Sequence, residues 1–393
     1  MRILFLTHRL PFPPNRGDRI RSYRLLLELA KHATVDVLSL VHSDEEVRLA
    51  DEVRALASRV EVARVSRPRT LLNAALSLTG STPLTHVLLD SPDLPAALAR
   101  LTSPAAPDVV LAYCSGMARL AMQPPLDTVP FVLDMVDVDS EKWQTLGQTA
   151  RIPLRWVYQR EARVLRAFEQ EATRRARVTF VVNARERDAM LAVNPSATVD
   201  VLSNGIDVET FRPKSPAVRT PDVVFCGVFN YEPNERAALW FGNEVWPLVR
   251  AARPDATLSL VGMDPSRAVR ALAAQPGIRV TGTVPDVRPF LWSASVSVAP
   301  LLVARGIQNK VLEAIAAGLP CVVTPQVADG LPPEATGACR VAGAPRDFAD
   351  AVLAFLALPA GEGQALAATA PLERISWAER MRPLMAAVTA AAG

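Results

Sequence analysis

The segment richest in chemistry runs from Arg305 to Pro320. There a polar loop, Arg305-Gly306-Ile307-Gln308, feeds a short helical stretch that begins at Asn309 and Lys310. Gly318 and Pro320 end that helix before the apolar strand 321–324. Unpaired backbone N–H groups at a helix start attract anions, phosphate above all. Lys310 falls in the first turn and Glu313 one turn later, so both project to the same side. An ammonium suits a phosphate, and a carboxylate accepts two hydrogen bonds from vicinal sugar hydroxyls. The pair reads as a cradle for a nucleotide diphosphate. The plainer alternative is a solvated lysine with a carboxylate that caps a neighbour. Composition favours the cradle: of 43 Lys and Arg residues 39 are Arg, so the lysine at 310 marks a place for a compact point charge.

Those side chains need strands to carry them, and short apolar runs alternate with helical patterns from end to end. Expected strands are 2–7, 34–40, 60–65, 109–113, 131–135, 178–182 and 198–202. A second series follows at 223–227, 257–261, 278–281, 296–299, 321–324 and 339–341. Amphipathic stretches at 20–32, 45–57, 186–192, 237–250 and 346–357 lie between them. This alternation predicts an α/β chain whose parallel sheets are covered on both faces. The proline-bearing stretch 211–221 separates the two series, which predicts two Rossmann-like domains joined by a linker. Neither series has GxGxxG after its first strand, which weighs against an NAD(P) or FAD enzyme. The proline-rich loop from Pro11 to Asp18 delivers Gly17 to a helix start. It is either a stiff loop with Asp18 as N-cap or one lip of a ligand cleft beyond the strand ends.

Composition narrows the function classes. With 393 residues, half of them hydrophobic, the chain can bury two cores. A net charge of +3 argues against nucleic acid as the main partner. Cys114, Cys226, Cys321 and Cys339 form no CxxC and suit buried thiols in a reducing compartment. The four histidines, at 8, 32, 42 and 86, lack metal-ligand spacing, so neither a metal site nor a cofactor is expected. No run of 18 apolar residues occurs, and the first strand is too short for a signal peptide core. These features predict a cytoplasmic protein.

Several segments, in order along nearly the whole chain, resemble the retaining nucleotide-sugar glycosyltransferases of the GT-B fold, group 1 (family 4). They are Val181 to Asp188; Leu202-Ser203-Asn204-Gly205-Ile206-Asp207 with Phe211-Arg212-Pro213; Phe225 to Asn234; Leu260-Val261-Gly262; and Val280 to Val287. The segment Asp134 to Trp143, together with Gly306 to Lys310, narrows the match to sugar transferases of PEP-CTERM/exosortase exopolysaccharide loci. The resemblance implies an N-terminal acceptor-side domain over 1–205, a donor domain over 206–373 and a final helix, 374–393, returning to the first domain. The two domains would face each other across a cleft. It also implies transfer of a sugar from a nucleotide diphosphate sugar to a glycan or polyprenyl-pyrophosphate-linked acceptor, with retention. The nucleotide sugar would be the only co-substrate and no metal would be needed.

Residue by residue, the family's second glutamate carries its ribose-holding role onto Glu313. Eight residues earlier the family has a glutamate and this chain has Arg305. Lys310, assisted by Arg305, is then the candidate for neutralising the leaving diphosphate. Gly17, Gly227, Asn230, Val284, Gly306, Ile307, Gln308 and Asn309 complete the expected donor contacts. After the fifth strand many members have a histidine, where this chain offers Asp134 and Asp137. Either could accept from sugar hydroxyls, and Asp137 is the candidate taken as catalytic. Asp139 is at least as well placed to cap a helix near Ser140.

The stretch 151–177 carries eight arginines against three glutamates among apolar residues. It is either a helix resting peripherally on the anionic inner membrane or an ordinary helix packing its apolar stripe inward. Two rival functions share the architecture: a UDP-sugar 2-epimerase, and a non-catalytic protein that binds a nucleotide sugar.

Overall fold

In the computed structural model the apolar runs form two parallel sheets. The structure describes residues 1–14, 17–214, 219–304, 307–359 and 361–393, the side chain of Thr149 excepted. The first sheet contains β1 (Arg2–Thr7), β2 (Thr34–Val41), β3 (Arg59–Arg64), β4 (Val109–Tyr113), β5 (Phe131–Val136), β6 (Thr179–Val181) and β7 (Val199–Val201). Its order is β3-β2-β1-β4-β5-β6-β7. The second contains β8 (Asp222–Cys226), β9 (Thr257–Val261), β10 (Ile278–Gly282), β11 (Val296–Ala299), β12 (Cys321–Val323) and β13 (Cys339–Val341). Its order is β10-β9-β8-β11-β12-β13. Central strands are apolar almost throughout because helices cover both faces; β4 and β8 are buried at every residue. Strand order reverses direction between β1 and β4, and again between β8 and β11. In open α/β sheets ligands bind beyond the carboxyl ends of the strands at such switch points.

The chain separates into one unit of Met1–Asn204 with Arg380–Gly393, and another of Gly205–Glu379. The stretch expected to be a linker, 211–221, differs from that expectation. Its described residues are built into the second unit. The Phe211 carbonyl accepts from Trp292 Nε1 at 2.7 Å, and Thr220 N donates to the Ser293 carbonyl at 2.9 Å. Arg219 donates to the carbonyls of Ala294 and Ala317, at 2.5 and 2.9 Å, at the ends of two helices. The helix expected over 237–250 is also interrupted. A π turn at Phe241–Val245 joins Glu232–Trp240 to Trp246–Ala252, where Pro247 supplies no N–H to the helical ladder.

Candidate functional site

The second unit assembles its charged groups at the β8/β11 switch point. The helix Asn309–Ala316 follows β11, and Lys310 stands in its first turn. Lys310 Nζ donates to Asn234 Oδ1 at 2.6 Å. Asn234, on the helix after β8, is itself fixed by Nδ2 donating to the Val228 carbonyl at 3.0 Å. The ammonium also lies 5.0 Å from the centroid of the Phe225 ring, whose edge-to-face contact with Phe229 holds it in place. Asn234 is neutral, so it aims the ammonium without cancelling its charge. That leaves the charge available to an anion.

Two glycines let these pieces approach. A Cβ on Gly262, which has φ +148°, would fall 1.7 Å from the Gly227 carbonyl oxygen. A Cβ on Gly227 would sit 3.3 Å from the Asn234 amide and 3.5 Å from Lys310 Nζ. The backbone at Gly227 therefore forms the floor beneath the ammonium; a Cβ there would crowd Asn234, and at Gly262 only glycine leaves room.

Glu313 is half-buried one turn beyond Lys310. Among the described residues its carboxylate has no hydrogen-bond or ion-pair partner. Burial pushes its pKa up to about 7, with Lys310 opposing the rise. Burial likewise pulls Lys310 down to about 8, while Cys226 and Glu313 hold it up. The Cys226 thiol beside them is pushed up to about 12, chiefly by burial, and stays neutral. Asn309 Oδ1 is a buried acceptor without a partner among the described residues. Gln308 takes the N-cap position, its carbonyl accepting from Val311 N at 2.9 Å, and Ile307 packs on the core.

Other expected residues lie apart. Asn230 is exposed and engaged with Asp264 at 3.3 Å. Val284 packs on the core after β10. Arg305 and Gly306 lie outside the described residues. Asn234 escaped the sequence reading as a site residue, although it ends the segment Phe225 to Asn234 quoted for the resemblance.

In the first unit Gly17 opens the helix Gly17–Ala30 with free space around it, and Asp18 falls inside the first turn rather than at the N-cap. Asp137 follows β5 through a γ-turn. Asp137 N donates to the Met135 carbonyl at 2.9 Å across Val136, whose φ is +70°. Cys114, at the end of β4, has φ +72°. A β-branched residue at positive φ, as Val136 is, is strained by about 1–3 kcal/mol, and both outliers sit at the carboxyl ends of their strands. The Asp137 pKa is raised by desolvation first, then by Glu186 and Asp139. Asp134, by contrast, is wholly buried and accepts two bonds from Arg21, at 2.7 and 2.8 Å, so it is withdrawn from ligands. Asp139 lies in the first turn of Asp139–Thr149 and accepts from Ser115 Oγ at 2.7 Å.

His8, after β1, was passed over in the sequence. Its ring stacks on Tyr113 at 5.5 Å and its Nδ1 is buried without a partner among the described residues. Burial lowers its pKa to about 4 despite Asp18 nearby, so it is a neutral imidazole at neutral pH. No group of three His, Cys, Asp or Glu among the described residues is placed to hold a metal ion. A cavity of about 830 Å3 opens beside Leu98, Pro104 and Arg119, and no expected site residue lines it.

The helix Leu154–Arg175 turns Leu165 and Ala172 into the unit and pairs charges along its later turns, as in Arg174–Glu171 and Arg166–Glu141. That part is an ordinary packed helix. No helix among the described residues is long and apolar enough to cross a membrane.

Residues 220–357 match the family model of Glycosyl transferases group 1, which spans most of the second unit. No curated protein matches the chain in sequence. Solved structures match its whole length. Anabaena HepE in complex with UDP is 13% identical at a TM-score of 0.65, covering 99% of this chain and 100% of its own. Sucrose-phosphate synthase from Thermosynechococcus elongatus is 17% identical at 0.61, covering 100% of both chains. The UDP-forming α,α-trehalose-phosphate synthase of Burkholderia xenovorans is 12% identical at 0.60, covering 98% of this chain and 100% of its own. The fold is accordingly GT-B, with two Rossmann-like parallel-sheet domains.

Proposed function

We propose that the protein is a glycosyltransferase acting in bacterial exopolysaccharide assembly, of the kind associated with PEP-CTERM and exosortase systems. It would move a sugar from a nucleotide diphosphate sugar to a glycan or polyprenyl-pyrophosphate-linked acceptor, with retention. One observation carries the donor half: a half-buried ammonium held by a neutral amide, one helical turn from a carboxylate without a partner among the described residues. It lies at the switch point of the unit that matches the family, and structures of HepE hold UDP and UDP-glucose.

In this reading Lys310 takes the diphosphate and Glu313 accepts from the ribose hydroxyls. Gly227, Ile307, Gln308 and Asn309 complete the donor contacts, with Gly306, Asn230, Val284 and Gly17 as further candidates. The bond between the anomeric carbon and the diphosphate oxygen breaks, and its electron pair stays with the diphosphate. The acceptor oxygen bonds to the same face of that carbon and passes its proton to the departing phosphate. Lys310, and Arg305 with it, would stabilise the charge developing on that leaving group, the principal task in such a step. No metal is required. Asp137 and His8, at strand ends of the first unit, are the candidates for receiving acceptor hydroxyls.

The test is transfer of labelled sugar from the donor, in the presence of EDTA. Lys310→Ala should slow turnover by roughly 10²-fold or more, the scale for losing one preorganised charge donor. Near-normal turnover in that variant would sink the assignment. Free or epimerised sugar released without any acceptor would point to the epimerase reading instead.

A further inference from the structure

The helix Arg67–Leu76 is built the wrong way round for a helix of a single chain. Only Thr70 is buried, while Leu71, Leu72 and Leu76 face solvent, the last at 73% exposure. A second apolar cluster stands on the turn leading into the helix Leu154–Arg175: Ile152 at 69%, Leu154 at 53% and Trp156 at 67% exposure. The two clusters are tied together. Arg160, one turn after Trp156, donates to the carbonyls of Ser77, Gly80 and Thr82 at 2.9, 2.6 and 2.8 Å, just beyond Leu76. The neighbouring Glu161 turns inward and accepts from the amides of Leu84 and Thr85, each at 2.8 Å. Single exposed leucines are ordinary; six large exposed apolar side chains on two segments that Arg160 ties together are not.

Charge says what covers this face. Residues 67–89 and 142–160 contain no aspartate or glutamate. Arg67, Arg69, Arg151 and Arg155 lie among the leucines and the tryptophan, and among the described residues none of them has a carboxylate partner. Elsewhere in the same unit surface arginines do pair, as in Arg64–Asp44, Arg100–Glu61 and Arg174–Glu171. Apolar side chains with an indole at the tip, ringed by unpaired guanidinium groups, match the boundary between acyl chains and anionic headgroups.

The geometry points to this face, formed by Arg67–Leu76 and the start of Leu154–Arg175, as a docking surface for an anionic lipid bilayer. The inference stands apart from the donor site, because it rests on a different surface and needs no turnover. It would bring the chain to the place where a lipid-linked acceptor resides.

The full chain, without donor, is floated with vesicles of phosphatidylcholine alone and with vesicles of equal phosphatidylcholine and phosphatidylglycerol. Binding is expected only to the second kind, reversed by high salt. Arg151→Glu/Arg155→Glu, and separately Leu72→Ser/Leu76→Ser, should each lower the partition coefficient by on the order of tenfold or more. Arg174→Glu, at the far end of the same helix, should leave it unchanged. Circular dichroism checks that the variants fold, which exposed positions permit. Three results would overturn the inference: no binding by the wild-type chain, equal binding by both double variants, or a dimer dissolved by Leu72→Ser/Leu76→Ser without any vesicle binding. The last would assign the face to a second copy of the chain.

Discussion

Arg21 and Asp134 in the first unit, and Lys310 and Glu313 in the second, are both oppositely charged pairs removed from bulk water, yet the chain handles them in opposite ways. Arg21 meets Asp134 through two bonds and spends a third on Asn204 at 2.8 Å. For Arg21, burial alone would lower the pKa, but Asp134 outweighs it and the guanidinium is held above its ordinary value. Lys310 and Glu313 make no ion pair with each other, and burial moves both toward neutrality. The first arrangement satisfies every charge internally and is architecture. The second leaves a cation and an anion under-solvated, a state that a ligand bearing both phosphate and hydroxyls would relieve.

Breaking the first pair should have the largest effect. Asp134→Asn leaves a buried guanidinium without its counter-charge, and such losses cost about 3–5 kcal/mol. A fall of that size in urea unfolding of the first unit is expected; an unchanged midpoint would show that the pair is not structural.

Breaking the second pair should do the reverse. The Glu313 pKa is raised from its ordinary 4.5 to about 7 in the folded chain. Its contribution to stability is therefore complete below about 4.5 and is lost as pH rises through about 7. Lys310, lowered from 10.5 to about 8, contributes above 10.5 and loses that contribution as pH falls through about 8. Between about 7 and 8 the ligand-free chain thus carries both penalties. Glu313→Gln should stabilise the ligand-free protein at pH 8 by on the order of 1–3 kcal/mol, and not at pH 4.5. The same variant should raise the donor KM about tenfold, through loss of a charge-assisted hydrogen bond. A variant that is less stable at pH 8 would place Glu313 with Asp134 as architecture.

Much of this contrast lay beyond the sequence. The strands among the described residues were legible, the central ones because a strand covered on both faces is a short apolar run bounded by turn residues. The Lys310–Glu313 pair was legible too, since one turn of helix relates the two residues. Of the two aspartates offered for sugar hydroxyls, Asp134 is withdrawn by Arg21, a partner 113 residues away that no local pattern reveals. Asn234 was missed for the same reason, 76 residues from Lys310. The exposed leucines of Arg67–Leu76 gave no sign of facing outward, since an apolar stripe has the same period whichever way it turns. Backbone strain at Val136 had no signal either; a β-branched residue is the last expected at positive φ.

The central claim is that Lys310 and Glu313 receive a nucleotide diphosphate, and thermal unfolding of the full chain between pH 7 and 8 tests it most directly. UDP, GDP, ADP and TDP would be added in turn, without metal, to the wild type and to Lys310→Ala and Glu313→Ala. The account predicts that one nucleotide stabilises the wild type by about 2.7 kcal/mol at a hundredfold excess over Kd, and that either substitution removes the shift. No shift with any nucleotide at millimolar concentration, or a shift that survives both substitutions, would contradict it.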